Sequence, residues 1–365
     1  MHMADALLSP AVGGTMWAAS AGTIAYCSNK VRKELDDKKV PLMGVLGAFL
    51  FAAQMINFTI PATGSSGHLG GGLLLTILLG PYAAFLTIAS VLVVQALFFA
   101  DGGLLALGCN IFNLGFFPAF IAYPLIYKKI VGDQPTPAKI SIGATVAGIV
   151  GLQMGAFSVV IETVASGISS LPFSTFVLMM QPIHLGIGIV EGMVTAAVVS
   201  FVYNARPEIL LSAQQAKPIG TFPVRNVVIA FFALALVTGG IVSWFASENP
   251  DGLEWSIKKV TGKEELEAAK DGVHGTLASL QEKLAFLPDY NFKKSEEKKE
   301  ATPLAATGTA EPAKSEPAVK PEAEGKKEGS KLGTSVAGLV GGVITLGLAF
   351  VIGVLLRKRS LPQAQ

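Results

Sequence analysis

The chain has 365 residues, 51% of them hydrophobic and only 15% charged, whereas soluble domains carry about 25% charged residues. Its mean hydropathy is +0.54 and its formal charge only +2, which points to a bilayer protein and excludes a nucleic-acid partner held by bulk positive charge. The two cysteines, Cys27 and Cys109, sit in apolar stretches without disulfide or CxxC spacing and read as small core residues.

Taken in chain order, the start "MHMADALLSP" has no basic residue before its apolar run, so it lacks the charged region of a cleavable signal. Met1 and His2 are expected to persist, because a bulky second residue hinders removal of the initiator methionine. Apolar runs of about 20 residues cross a bilayer core. They predict spans at 10–28, 41–59, 82–99, 104–127, 138–164, 181–203, 226–245 and 334–356. A shorter segment at 70–80, ending at Gly80-Pro81, reads as a buried, protein-lined helix. The fold class is therefore all-α and polytopic: a seven-segment helical bundle over 1–206, a cytoplasmic linker at 207–225, and a two-span accessory unit over 226–365. Within the long polar insert between those two spans, about 291–331 is rich in Lys, Glu, Ala and Pro and predicts disorder. Basic residues Lys30, Arg32, Lys33, Lys38 and Lys39, then Lys128-Lys129, Arg206, Arg225 and Arg357-Lys358-Arg359, put those loops and the C-terminus in the cytoplasm. That topology requires the short segment to cross, and it places the N-terminus and the loop 61–72 on the outer face of the cell membrane.

Four histidines are available: His2, His68, His184 and His274. The α-amine of Met1, the deprotonated amide of His2 and the His2 imidazole form fused chelate rings on one metal, and a fourth nitrogen closes a plane suited to Ni(II) or Cu(II). His68, in the flexible "TGSSGHLGGG", is the natural fourth donor. By themselves these residues also fit a chance Met-His dipeptide and an interfacial histidine. His184 and Glu191 lie seven residues apart in one span and share a helical face. An ionisable group exposed to lipid costs about 3 kcal/mol, so both are functional candidates, though a hydrogen bond to a neighbouring helix is the readier role for them and for Glu162 and Asp101. Gln54, Asn57, Gln95, Asn110 and Asn113 suit interhelical hydrogen bonds or the support of a ligand histidine. His274, in the polar insert, is expected to be dispensable. No phosphate-binding GxxxxGK[ST] loop occurs, so an ATP-driven activity would need another polypeptide.

The segments "MHMADALLSP", "AFLFAAQMINF", "GSSGHLGGG", "LLGPYAAFLTIASVLVVQALFFADGGLLALGCNIFNLG" and "QPIHLGIGIVEGMVTA" together resemble the CbiM/NikM capture subunits of energy-coupling-factor transporters. "ENPDGLEWS" at 248–256 resembles the PDGLE-type NikN accessory subunit, which the family also carries fused. The resemblance implies a bacterial inner-membrane protein that is not itself an enzyme, with nickel or cobalt as transported substrate rather than cofactor. Its partners would be a transmembrane coupling protein and two cytoplasmic ATPases. It implies metal ligation by Met1, His2 and His68. Many cobalt-type members begin Met-His-Ile-Pro-Asp-Gly, whereas this chain continues Met3-Ala4-Asp5-Ala6, which favours nickel. Asp5 is expected to cap the first helix or brace the site, and Asp251 and Glu254 to gather cations or cap a short helix. The rival readings are cobalt-specific import and a membrane-embedded hydrolase using His184 and Glu191.

Overall fold

The computed structural model describes residues 2–32, 35, 37–293 and 331–356. Met1, the basic cluster at 357–359 and nearly all of the insert assigned to disorder lie outside the described residues. The helices are α1 (Pro10–Val31), α2 (Lys39–Gln54), α3 (Gly72–Leu79), α4 (Pro81–Phe99), α5 (107–131), α6 (Pro137–Ser166), α7 (Phe173–Ala205), α8 (Pro207–Gln215), α9 (Arg225–Gly240), α10 (Gly252–Thr261), α11 (Gly272–Leu284) and α12 (Lys331–Leu356). Strands β1 (Phe58–Ile60) and β2 (Ser65–Gly67) form an antiparallel hairpin in which Thr59 faces Ser66.

Helix starts follow their local chemistry. Ser9 Oγ accepts from Val12 N at 3.4 Å and Pro10 takes the first position of α1, where a missing N–H does no harm. Thr136 and Pro137 open α6 in the same way. Gly80 and Pro81 break the apolar run between α3 and α4. In α5 the π-helical register over Phe112–Tyr127 accommodates Pro118 and Pro124 inside the helix.

Every residue of α3 is buried, and α2 and α4 to α8 surround it, as expected for a short segment lined by protein. Among the described residues, α4, α5, α6, α7 and α12 are long and apolar enough to cross a membrane, while α2 and α9 are apolar but shorter. The expected span at 41–59 stops at Gln54, because residues 58–60 leave the helix to pair with β2, and the span at 181–203 begins earlier, at Phe173. Helices α9 and α12 both pack on α2, with Phe49 and Phe231 rings 5.4 Å apart.

Two faces result. At one end Lys39 Nζ donates to Lys217 O at 3.2 Å and Lys128 Nζ to Gln214 O at 3.1 Å, so the basic loops gather together. Helix α2 runs from that end to Gln54 at the other, where α10, α11 and a turn at Pro288–Tyr290 lie over the bundle.

The α9–α12 crossing depends on backbone contact: a Cβ on Gly338 would stand within 2.7 Å of the Gly239 backbone. Gly338→Val should destabilise the fold by about 1–3 kcal/mol, the usual cost of overpacking, and thermal unfolding in detergent should show the lowered midpoint. A companion Gly347→Val, which meets open space, should leave it nearly unchanged.

Candidate metal site

The chain start is sewn into the bundle by its backbone. Met3 N donates to Asn110 Oδ1 at 2.8 Å, and Met3 O accepts from Gly103 N at 2.9 Å and from Asn110 Nδ2 at 3.3 Å. Met3 itself is fully buried. Asp5 accepts from Ala106 N at 2.9 Å through Oδ1, so it braces the loop after α4 and does not cap α1. These bonds fix the direction of His2.

The His2 and His68 rings stand 4.8 Å apart between centroids. His2 Nδ1 donates to Asp101 Oδ1 at 2.7 Å, while its buried Nε2 has no hydrogen-bond partner. Asp101 also accepts from the Tyr290 hydroxyl. Burial opposes ionisation of Asp101, yet the His2 ring and these two donors hold its carboxyl below the usual range. His68 Nδ1 donates to Leu69 O at 3.1 Å, which fixes the tautomer and turns Nε2 inward, 3.9 Å from Asp251 Oδ2. Burial, aided by the nearby His2, lowers the His68 pKa to about 3, so the imidazole is neutral and suited to a metal.

The loop carrying His68 is held from both sides. Glu191 accepts from Gly70 N and Gly71 N, each at 3.0 Å, and Gln54 Nε2 donates to Gly70 O at 2.9 Å. From the accessory part, Pro250 O accepts from Ser66 N at 2.8 Å, Asn249 O accepts from Ser66 Oγ at 2.7 Å, and Trp255 Nε1 donates to Thr63 O at 3.0 Å.

The segment Pro250–Glu254 thus has one task per residue. Asp251 and Glu254 close a reciprocal capping box at the start of α10. Leu253 is buried, and Gly252 lets the backbone rest on α7, where a Cβ would come within 3.0 Å of both His184 and Ile187. Burial and the neighbouring Asp251 raise the Glu254 pKa to about 7.

His184 and Glu191 do not share a hydrogen bond. His184 Nδ1 donates to Met180 O at 2.7 Å beneath Gly252, whereas Glu191 anchors the His68 loop. The pair proposed for hydrolysis is therefore not assembled. Glu162 accepts from Asn113 Nδ2 at 2.8 Å inside the bundle, away from His2.

His274 is buried despite its polar sequence neighbourhood, and its Nε2 donates to Leu8 O at 2.8 Å. Asn57 lines the cavity beside Gln54, and its carbonyl accepts from Ser247 N at 2.7 Å. Sequence reasoning missed Tyr290 and the site role of Asp101. The aromatic "FLPDYNF" at 286–292, set in a polar stretch, was the available signal. Among the described residues no group of three or more His, Cys, Asp or Glu side chains is arranged to hold a metal.

Imidazoles and carboxylates sealed at one end of a membrane bundle are the chemistry of a membrane protein that handles a transition metal. The family model described as the cobalt uptake substrate-specific transmembrane region, CbiM, matches residues 2–209, and the chain belongs to that family. The model of the PDGLE domain matches residues 225–358. A relative from Haloquadratum walsbyi, named as a metal transport protein, is 36% identical over 214 residues, covering 58% of this chain and 94% of its own. One from Archaeoglobus fulgidus, named as a fused nickel transport protein, is 36% identical over 218 residues, covering 60% of this chain and 70% of its own. A crystal structure of a transition metal transporter is 32% identical, with a TM-score of 0.51 over 58% of this chain and 96% of that one. The chain is thus a multi-pass membrane component of metal transport.

Glu191→Leu should remove both acceptors of the His68 loop. Each orphaned amide costs about 1–3 kcal/mol, so hydrogen exchange at Gly70 and Gly71 should accelerate by about tenfold or more while exchange in α4 is unchanged.

Proposed function

We propose that this chain captures a divalent transition metal, nickel in preference to cobalt, for ATP-driven import. The metal would be held by the Met1 amine, the His2 amide and imidazole, and the His68 imidazole. The observation that carries this reading is the approach of His2 and His68, 66 positions apart in sequence, to 4.8 Å between ring centroids. The tautomer of His68, which turns Nε2 towards the pocket, supports it as the fourth donor. Closing the chelate uses His2 Nδ1, the ring nitrogen nearer the backbone. Loading therefore exchanges its bond to Asp101 for one to the metal, leaving Asp101 held by Tyr290.

Planar nitrogen ligation and the fused nickel relative support nickel, whereas the family description names cobalt. A separate coupling protein and two cytoplasmic ATPases would supply the energy, since the chain carries no phosphate-binding loop. The basic end holding Lys39 and Lys128 would face the cytoplasm, and the pocket the outside of the cell membrane.

Purified protein with an unextended start should bind one nickel ion per chain with the absorption of a square-planar nitrogen site. A single residue added before Met1 should abolish binding without altering circular dichroism. Normal nickel affinity in the extended protein would overturn the chelate. His68→Ala should weaken binding by more than the ~10–100-fold that loss of a supporting residue costs.

Affinity should also fall steeply as pH drops, because the amine and amide give up protons to bind. Titrations at several pH values should show more than one proton released per metal. A flat profile would count against amide ligation.

A further inference from the structure

Helix α11 rests on the bundle with one face inward and one flank bare. His274 and Gln281 look inward: His274 Nε2 donates to Leu8 O, and Gln281 Nε2 donates to Ala96 O at 2.9 Å and to Gly102 O at 2.8 Å. Beside them Val273, Leu280 and Leu284 fall on one flank at i, i+7 and i+11, and all three are exposed. Phe286, just past the helix, extends this row: it is 44% exposed while its ring stands 5.6 Å from that of Phe98. Thr276, Ser279 and Glu282 take the other, polar side. A row of apolar side chains left in water is unusual and marks an interaction surface.

A second observation, independent of this pattern, gives the depth of the helix. Gly341 of α12 lies against Phe99, the last residue of α4, where a Cβ would come within 2.8 Å of the ring. From Gly341, α12 runs six residues to Ser335, about 9 Å at a rise of about 1.5 Å per residue. Ser335 Oγ accepts from Trp244 Nε1 at 2.6 Å, and Lys331 Nζ stands 5.9 Å from the Trp244 ring. A Trp beside a Lys at the end of an apolar helix is the pattern of a membrane interface. Helix α11, bound to the carbonyls of Ala96 and Gly102 on either side of Phe99, therefore sits on the membrane side of that level. Phe98, Leu97 and Val93, each partly exposed, carry the apolar row on down α4, which is long and apolar enough to cross the bilayer.

We propose that α11 is an interfacial helix whose apolar flank is embedded in the phospholipid leaflet at the site end of the bundle. Lipid is then the partner that covers Val273, Leu280, Leu284 and Phe286. Two observations choose lipid over a protein surface: the row is continuous with the flank of α4, and its level lies inside that of Trp244. The same leaflet keeps α11 on Leu8 and the turn at Tyr290 on Phe99 without touching a metal-binding group. The proposal stands on the membrane placement of α4 and α12 and is separate from the metal reading.

The test uses the full chain in nanodiscs of phosphatidylcholine and phosphatidylglycerol. A nitroxide is attached at Val273→Cys, Leu280→Cys or Leu284→Cys on the flank, and at Ser279→Cys or Glu282→Cys on the polar side. Cys27 and Cys109 are buried, and the parent treated with the same label supplies the background. Power-saturation electron paramagnetic resonance compares collisions with oxygen, which concentrates in lipid, and with chromium oxalate, which stays in water. Flank labels should show an oxygen-to-chromium collision ratio severalfold above that of the polar-side labels, as for a helix lying in the interface plane. Flank labels that meet chromium oxalate as often as the polar-side ones would place the flank in water and overturn the proposal. Flank labels shielded from both reagents would put a protein surface there and overturn it equally. Three flank positions are read separately, so a variant that fails to fold leaves the other two to decide.

Discussion

Chain ends are poorly ordered unless tied down, and here three hydrogen bonds to the Met3 backbone do so. Asn110 grips both the N–H and the carbonyl of this residue, and Gly103 adds a second donor to the carbonyl. Each such bond is worth about 0.5–1.5 kcal/mol net, but their geometric effect is larger than their energy. With Met3 fixed, the preceding side chain lies against both Asp101 and His68. The loops that meet there are positioned relative to this strand-like start: the Asp101 turn through Gly103, the Ala106 turn through Asp5, and α11 through Leu8 and His274.

The two family matches, 2–209 and 225–358, meet across the pocket instead of lying side by side. Ser66, two residues before His68, donates to Pro250 and Asn249. Asp251 faces His68, and Tyr290 reaches Asp101 while stacking on Phe99 at 5.1 Å. The accessory part therefore faces His68 directly and reaches His2 through Asp101. This explains why the PDGLE stretch needs its residue types together: acids to cap α10, a glycine to clear His184 and a leucine to fill the interface.

What the sequence made legible follows from the range over which each force acts. Apolar run length located α1, α4, α5, α6 and α12 to within a few residues, and the short, wholly apolar α3 could be recognised as protein-lined. Where a run ended for a non-local reason, length misled: 55–60 is apolar, but it bends away to pair with β2. Local ligand chemistry marked His2 and His68 as a pair. Asp101 and Tyr290 were not visible in that role, because 189 positions separate them and only the packing of the accessory turn brings them together. The burial of His274 was hidden for the same reason, since a polar neighbourhood in sequence says nothing about which carbonyl a distant helix will meet.

Asp101 has a consequence for how the two halves communicate. It accepts from His2 on one oxygen and from Tyr290 on the other, so it joins the proposed chelate directly to the accessory turn. In the loaded state His2 Nδ1 would belong to the metal, and Asp101 would keep only its bond to Tyr290. Whatever that change does to the stability of the accessory turn, closure of the turn must do to metal affinity in equal measure, because coupling between two equilibria is reciprocal. If the chelate forms as proposed, a carboxylate shared in this way would make the accessory part a thermodynamic participant in metal binding, even though none of its residues need touch the metal.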